Sequence, residues 1–334
     1  MSAVTLSQVA RQAGVSLATA SRVLNGSQRR PAEGIAERVR TAALELGYVA
    51  NAQAQALARS STGMVGLVVH DIADPYFSTI ARGVQHASQE ASRQLLLAAA
   101  EAGDSSVFSA VSTFVAHRTD AILIAGSRSV RPDERLIHEL QRYRSNGGRL
   151  VTIGQAWLED SGAVTIDNRG GSAELVRILA GTGQTRFAYL AGPDHLVTAE
   201  DRLSGFRGGV QAAGVEEVAV VHGAFTREGG HQSARSLAGQ LGAGMLRGVT
   251  VLAANDVMAI GAISAFRSMG LEVPRDVRVA GFDDIPTLRD YVPALTTVRL
   301  PLEEIGYLAA ELALGQASDI VRNVSGTVIL RESA

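Results

Sequence analysis

Near the N-terminus the apolar positions recur at helical spacing in three short runs. Leu6, Val9, Ala10 and Ala13 form the first, with Thr5 as a candidate cap and Gly14 as the stop. Ser16 can cap a second helix that turns Ala20, Val23 and Leu24 inward and ends at Asn25-Gly26. A third helix fits Ala32 to Leu46, with Pro31 near its start, apolar Ile35, Val39, Ala42, Ala43 and Leu46, and Gly47 as its stop. Between the first two lies Ala13-Gly14-Val15. A small residue lets two helices approach and a glycine supplies the tight turn, so the pair reads as a helix-turn-helix.

The stretch 51–59 alternates Ala with Gln and holds a single large apolar side chain, Leu57. Its residues favour helix, yet it is shorter than the ~12–15 residues a helix needs to persist alone in water. A segment willing to be helical but unable to hold the helix alone is a candidate switch. From Met64 the pattern alternates strand and helix. Short apolar strands are predicted at 64–69, 121–124, 150–153, 187–191, 218–221, 249–253, 277–281 and 327–330. Helices are predicted at 76–92, 167–181, 199–213, 227–239 and 256–269. This is more chain than one doubly wound sheet needs, which predicts two α/β lobes built on parallel sheets. Ligands of such sheets sit outside the strand C-termini, which singles out the loops 71–77, 192–202, 254–256 and 282–285.

Composition narrows the chemistry. There is no cysteine, which removes disulfides, thiolate nucleophiles and zinc fingers. All 31 basic residues are arginine, so a P-loop lysine, a Schiff base and an S-x-x-K nucleophile are excluded. No cofactor, metal ligand or catalytic residue is expected. Residues 1–62 carry seven Arg against three Glu, a charge of +4, and the remainder carries 24 Arg against 30 acids, −6. A basic head on an acidic body suggests that the head alone meets a polyanion. No apolar run approaches 18 residues and the N-terminus lacks the pattern of a secretory signal, so the expectation is a cytoplasmic protein with no membrane partner.

The run from Val4 to Asn25, followed by Glu45-Leu46-Gly47-Tyr48, Asn51 and Leu57, resembles the headpiece, third helix and hinge of the LacI/GalR family of transcription regulators. Val65 to Val68, Asp74-Pro75-Tyr76-Phe77, Asn255 to Ala259, Gly281 to Pro286 and Leu295 to Val298 are similar to the family's core motifs, in the family's order. The resemblance covers nearly the whole chain. It departs at Ala50, where the family usually has Pro, at Gln55, where many members have Arg, and at Arg29-Arg30-Pro31, one residue longer than is typical.

The resemblance implies an N-terminal all-α helix-turn-helix headpiece (1–50), a hinge helix and linker (51–62), and a two-lobed, periplasmic-binding-protein-like α/β core (63–334). Lobe 1 would comprise about 63–165 plus 297–325, and lobe 2 about 166–296 plus 326–334. The implied function is sequence-specific DNA binding by a transcriptional repressor whose operator affinity a small-molecule effector sets allosterically. No heptad leucine run follows Leu330, so a homodimer is expected rather than a tetramer.

Site residues follow from the same resemblance. Leu17, Ala18 and Arg22 would face base edges. Arg22 can pair bidentately with guanine, and Leu17 and Ala18 can only touch thymine methyls or exclude wrong bases. The alternative for Arg22 is a phosphate contact. Ser16, Thr19, Ser21 and Asn25, with the amide at Thr5-Leu6, suit phosphates. Hinge residues Asn51, Ala54 and Leu57 would enter the minor groove as a pair, with Leu57 wedged into the central step of a palindromic double-stranded operator.

For the effector, the first lobe would supply Asp71, Tyr76 and Phe77, and the second Thr198, Arg202, Phe225, Asn255 and Asp283. Carboxylates, a guanidinium and an amide beside aromatic faces suit a sugar, with a nucleobase or nucleoside as the alternative. Three competing readings stand: an interlobe salt bridge between Arg202 and Asp283, Tyr76 and Phe225 as plain core aromatics, and Trp157 as either cleft lining or structure. An enzyme would have to use Asp283-Asp284 or His70 beside Asp71, and neighbours after a strand point apart. A sugar receptor would need a signal peptide and no headpiece.

Overall fold

The computed structural model describes residues 4–25, 31–49, 61–100, 104–315 and 320–334. Asn51, Ala54 and Leu57, with the rest of the expected hinge up to residue 60, lie outside the described residues. The chain divides into two compact units, Met1–Gly63 and Met64–Ala334.

The first unit holds α1 (Leu6–Ala13), α2 (Leu17–Asn25) and α3 (Glu33–Leu46). Each apolar stripe turns into one small core of Val9, Ala10, Ala13, Ala20, Val39, Ala42 and Ala43, ringed by Leu6, Val23, Leu24 and Leu46 among others. Alanine at most central positions lets three short helices approach closely. Gly14 ends α1 at φ 64°, a left-handed turn that needs no Cβ. Ser16 Oγ accepts from the Thr19 amide at 3.1 Å and so caps α2.

In chain order the second unit begins with β1 (Met64–Val69), α4 (Pro75–Glu90), β2 (Gln94–Ala99), α5 (Asp104–Ala116), β3 (Ala121–Ala125), α6 (Glu134–Ser145), β4 (Arg149–Gly154) and β5 (Gly162–Ile166). It continues through α7 (Asn168–Gly181), β6 (Arg186–Ala191), α8 (Val197–Ala213), β7 (Glu216–His222), α9 (Arg227–Leu241), β8 (Thr250–Ala253), α10 (Asp256–Ser268) and β9 (Arg278–Ala280). The last elements are β10 (Thr297–Arg299), α11 (Leu302–Leu314), β11 (Val321–Val324) and β12 (Thr327–Ile329).

Two parallel sheets result, β11-β5-β4-β3-β1-β2 and β7-β6-β8-β9, each with helices on both faces. In the first, Val65, Leu67 and Val69 pack toward α4 and α11, while Val68, Ile122 and Ile124 pack toward α5 and α6. The strand expected at 327–330 belongs to neither parallel sheet. It pairs antiparallel with Thr297–Arg299 in a two-stranded ribbon where the chain crosses between lobes. Strands β2, β5, β10 and β11 and helices α5, α6 and α11 were not singled out from the sequence. No helix among the described residues is long and apolar enough to cross a membrane.

Three helix pairs cross where glycine replaces a side chain. A Cβ at Gly83 of α4 would run into the Glu303 carbonyl of α11, and one at Gly306 into the Ile80 carbonyl. Gly205 of α8 stands in the same way against Arg169 of α7, and Gly261 of α10 against Arg227 of α9. These crossings cannot open for a methyl group without separating two backbones. Gly261→Ala is therefore expected to destabilise the core by about 2–3 kcal/mol. Gly208→Ala, where a Cβ meets open space on α8, should stabilise by about 0.5–1 kcal/mol. Denaturant midpoints of the two variants check this pair.

Candidate functional site

The headpiece presents one exposed face of α2. Leu17 is 52% exposed, a large apolar side chain turned away from the small core. Ala18 and Arg22 are exposed beside it, one helical turn apart, and Ser16 is exposed at the cap. Thr19 and Ser21 are half-buried, and Asn25 is the last residue of α2. At the start of α1 the Thr5 amide is taken by Gln8 Oε1 at 2.8 Å. The Leu6 side chain packs into the core, so its contribution to an outside partner is its amide.

In the second unit the chain builds a cavity of about 900 Å³ between the lobes. It lies outside the strand C-termini at both topological switch points, between β1 and β3 and between β6 and β8. Asp71, Tyr76 and Phe77 line it from the first lobe. Thr198, Arg202, Phe225, Asn255 and Asp283 line it from the second. All eight positions expected to meet an effector thus converge on one space, and Trp157 joins them.

Local sequence explains much of the placement. Asp74 caps α4 by accepting from the Tyr76 amide at 2.9 Å, with Pro75 opening the helix, which sets Tyr76 and Phe77 in the first turn. Their rings meet edge to face at 4.9 Å. Asn255 caps α10 through Oδ1, which accepts from the Met258 amide at 3.0 Å. Phe225 precedes the Thr226 cap of α9 and lies against Gly192, where any Cβ would overlap its ring.

Arg202 organises the second wall. It is 3% exposed, and Nε donates to Asn168 Oδ1 at 2.8 Å, Nη1 to the Ala254 carbonyl at 2.6 Å, and Nη2 to Asp283 Oδ1 at 2.9 Å. Its plane sits 3.8 Å from the centre of the Phe282 ring. The salt bridge considered from sequence is real but lies within lobe 2, not between lobes: α8 supplies the arginine and the turn after β9 the carboxylate. Asp283 has φ 117° and Asp284 φ 56°, so the two side chains diverge. Asp284 pairs with Arg299 at 2.6 Å and Arg331 at 2.7 Å. Burial pushes the Asp283 carboxyl up to about 7 against the opposing charge of Arg202. Burial also raises Asp256, which accepts from Thr297 Oγ1 at 2.6 Å and the Ile285 amide at 3.0 Å.

The lobes also join beside the cavity. Val197 and Thr198, the first two residues of α8, donate their amides to the Arg128 carbonyl at 3.0 Å and to Ser127 Oγ at 2.9 Å, both in lobe 1. Gln155 Nε2 donates to Thr198 Oγ1 at 2.7 Å, and the Val130 amide donates to the His195 carbonyl at 2.8 Å. Asn168, Ser127 and Gln155 were missed from sequence. All three follow strand C-termini, so the switch-point rule applied to every strand, rather than to four loops, reaches them.

Residues 5–51 match the family described as bacterial regulatory proteins, lacI family, and residues 176–334 match a periplasmic binding protein-like domain. The chain is 33% identical to the HTH-type transcriptional regulator GalR of Escherichia coli (strain K12), over 98% of this chain and 95% of that one. It is 34% identical to the HTH-type transcriptional regulator CelR of Thermobifida fusca, over 98% of each. Among solved structures, the lac repressor dimer bound to operator and the anti-inducer ONPF superposes with a TM-score of 0.84 at 25% identity, over 99% of both chains. A CelR-cellobiose complex superposes at 0.71 with 30% identity, over 99% of this chain and 100% of that one.

The raised acids carry a pH signature. An acid whose folded pKa exceeds its unfolded 3.8 holds more protons folded than unfolded between the two values, so stability falls as pH rises through that window. Exposed carboxylates lowered by arginine, such as Asp133 and Glu174, act in the opposite sense, but only below the ordinary carboxylate range. The core's melting temperature should therefore fall from about pH 5 to about pH 7.5. Asp283→Asn, although less stable overall, should show a flatter slope when scanned by calorimetry across the same pH values.

Proposed function

The chain belongs to the lacI family of bacterial regulatory proteins, and from that premise we propose that it is a cytoplasmic repressor that binds a palindromic operator as a homodimer and is controlled by a sugar. The reading rests above all on the convergence of the eight expected effector positions on one cavity at the switch points of both lobes. An amide, a guanidinium held by a carboxylate, and two aromatic faces suit hydroxyls and the apolar faces of a sugar ring. The solved CelR relative is a cellobiose complex.

In this mechanism Leu17, Ala18 and Arg22 read bases, while Ser16, Thr19, Ser21, Asn25 and the Thr5-Leu6 start hold phosphates. Asn51, Ala54 and Leu57 form the paired minor-groove element, which is stable only when DNA and the second copy hold it. The segment leads straight into β1 at Met64, so any shift of lobe 1 in the dimer pulls on it. A difference of ~1–3 kcal/mol between effector-bound and free states is enough to change operator affinity 5- to 150-fold.

Binding to a palindromic duplex should weaken steeply with salt. Arg22→Ala should lose about 1–3 kcal/mol at one base-pair position in each half-site. Titration against single-base operator variants decides the arginine's role, and uniform weakening at every position would return it to a phosphate contact.

A further inference from the structure

The cavity extends beyond its polar cluster. Val69 and Ile153 belong to the apolar cluster on the α4 and α11 side of the first sheet, and Val68 and Ile124 to the cluster on the α5 and α6 side, yet all four line it. It therefore straddles the tips of β1, β3 and β4 and reaches both helix layers of lobe 1. Its far wall is Val107 of α5 and Trp157 of the loop after β4, both members of the second cluster. Trp157 is 8% exposed, and its indole N–H has no hydrogen-bond partner among the described residues. One end of the space thus carries Asp283, Arg202 and Asn255, and the other is walled by apolar side chains. About 900 Å³ lies in the upper part of the roughly 300–1,000 Å³ range of pockets for drug-sized ligands, more than one six-membered ring fills.

Charge restricts the ligand further. Arg202 is the one arginine among the described lining residues, and each of its nitrogens already serves Asn168, Ala254 or Asp283. Asp71, Asp74 and Asp283 line the same space, and Asp74 already answers the positive end of α4. A phosphate or carboxylate group would meet three acidic side chains against a single guanidinium that is already paired with Asp283, with His70 and His195 the other basic side chains of the lining.

We propose that the effector is an uncharged two-ring glycoside, with one ring at Arg202, Asp283 and Asn255 and the second lodged against Val107 and Trp157, which set its size. This rests on the effector reading of the cleft and adds the ligand's charge and length to it. The second ring fills the apolar extension with its carbon face.

The test is calorimetric titration of the full chain, with operator binding measured in parallel, against free hexoses, hexose 6-phosphates, neutral disaccharides and aryl glycosides. A disaccharide or aryl glycoside should bind about tenfold or more tightly than its own hexose, and hexose phosphates should not bind. A hexose or hexose phosphate that binds as well as any two-ring ligand overturns the proposal. If no sugar binds or alters operator affinity, the effector reading itself falls, and the proposal with it. Val107→Phe fills the far end and should lower the ratio of two-ring to one-ring affinity about tenfold. Trp157→Phe keeps a smaller aromatic face and should lower the ratio less, which also serves if Val107→Phe does not fold. Unchanged ratios in both variants overturn the assignment of the second ring.

Discussion

The guanidinium of Arg202 is where the second lobe is tied together. A charge buried this deeply costs several kcal/mol unless it is partnered, and here each of the three nitrogens donates a hydrogen bond and a ring face covers the guanidinium. The four partners come from three places in the chain: the start of α7, the residue after β8, and the two consecutive residues that follow β9 by way of Gly281. The arginine therefore fixes the tips of the sheet relative to α8. It also holds Asp283 at a backbone angle that residues with a Cβ rarely adopt, helped by the Asp283 amide donating to Val298 at 2.8 Å and its carbonyl accepting from Leu300 at 3.2 Å. A carboxylate in that position faces the cavity with its remaining oxygen already oriented.

From that anchor the connection between lobes acquires an energetic meaning. The first amides of α8 have no partner within their own helix, and lobe 1 supplies both acceptors. The helix that carries Arg202 is thus capped by the opposite lobe. Caps of this kind are worth ~1 kcal/mol each, so the junction holds about as much free energy as an allosteric effect of ~1–3 kcal/mol requires. A ligand that moves the lobes apart by an ångström or two exchanges those bonds for water, and one that draws them together shortens them. The crossover strands carry the corresponding restraint on the other side: Asp256 grips Thr297 and Asp284 grips Arg299.

Sequence pattern carried the fold where periodicity was strong and failed where it was not. The headpiece stripe residues Val9, Ala10, Ala13, Ala20, Val39, Ala42 and Ala43 are all buried, because in helices this short every inward position has to be apolar. Strand β2 hid because Gln94 to Ala99 holds leucine and alanine and no β-branched residue, a composition that suits helix as well as strand. Strands β10 and β11 are three and four residues long, with polar members, below what alternation can mark. In the cleft, residues standing in recognisable motifs were legible one at a time. Gln155, Ser127 and Asn168 were not, since each acts through a partner distant in sequence. The pairing of Arg202 with Asp283 was foreseen, but its placement within one lobe needed the path of α8.

Charge separates the work of the two units. The first 62 residues carry +4 and the remaining 272 carry −6, so duplex DNA is attracted to the headpiece and repelled by the core. The seven arginines of residues 1–62 can neutralise only a few phosphates, and each phosphate neutralised contributes a salt slope of about −0.9. One headpiece alone is therefore a weak, salt-sensitive binder. Leu17 and Ala18 are exposed and offer shape but no side-chain hydrogen bond, so in the proposed mechanism most of the direct readout on that face falls to Arg22. Useful specificity has to come from doubling that face across a two-fold axis at a fixed spacing. What controls the spacing controls the affinity, and in the proposed mechanism that is the core.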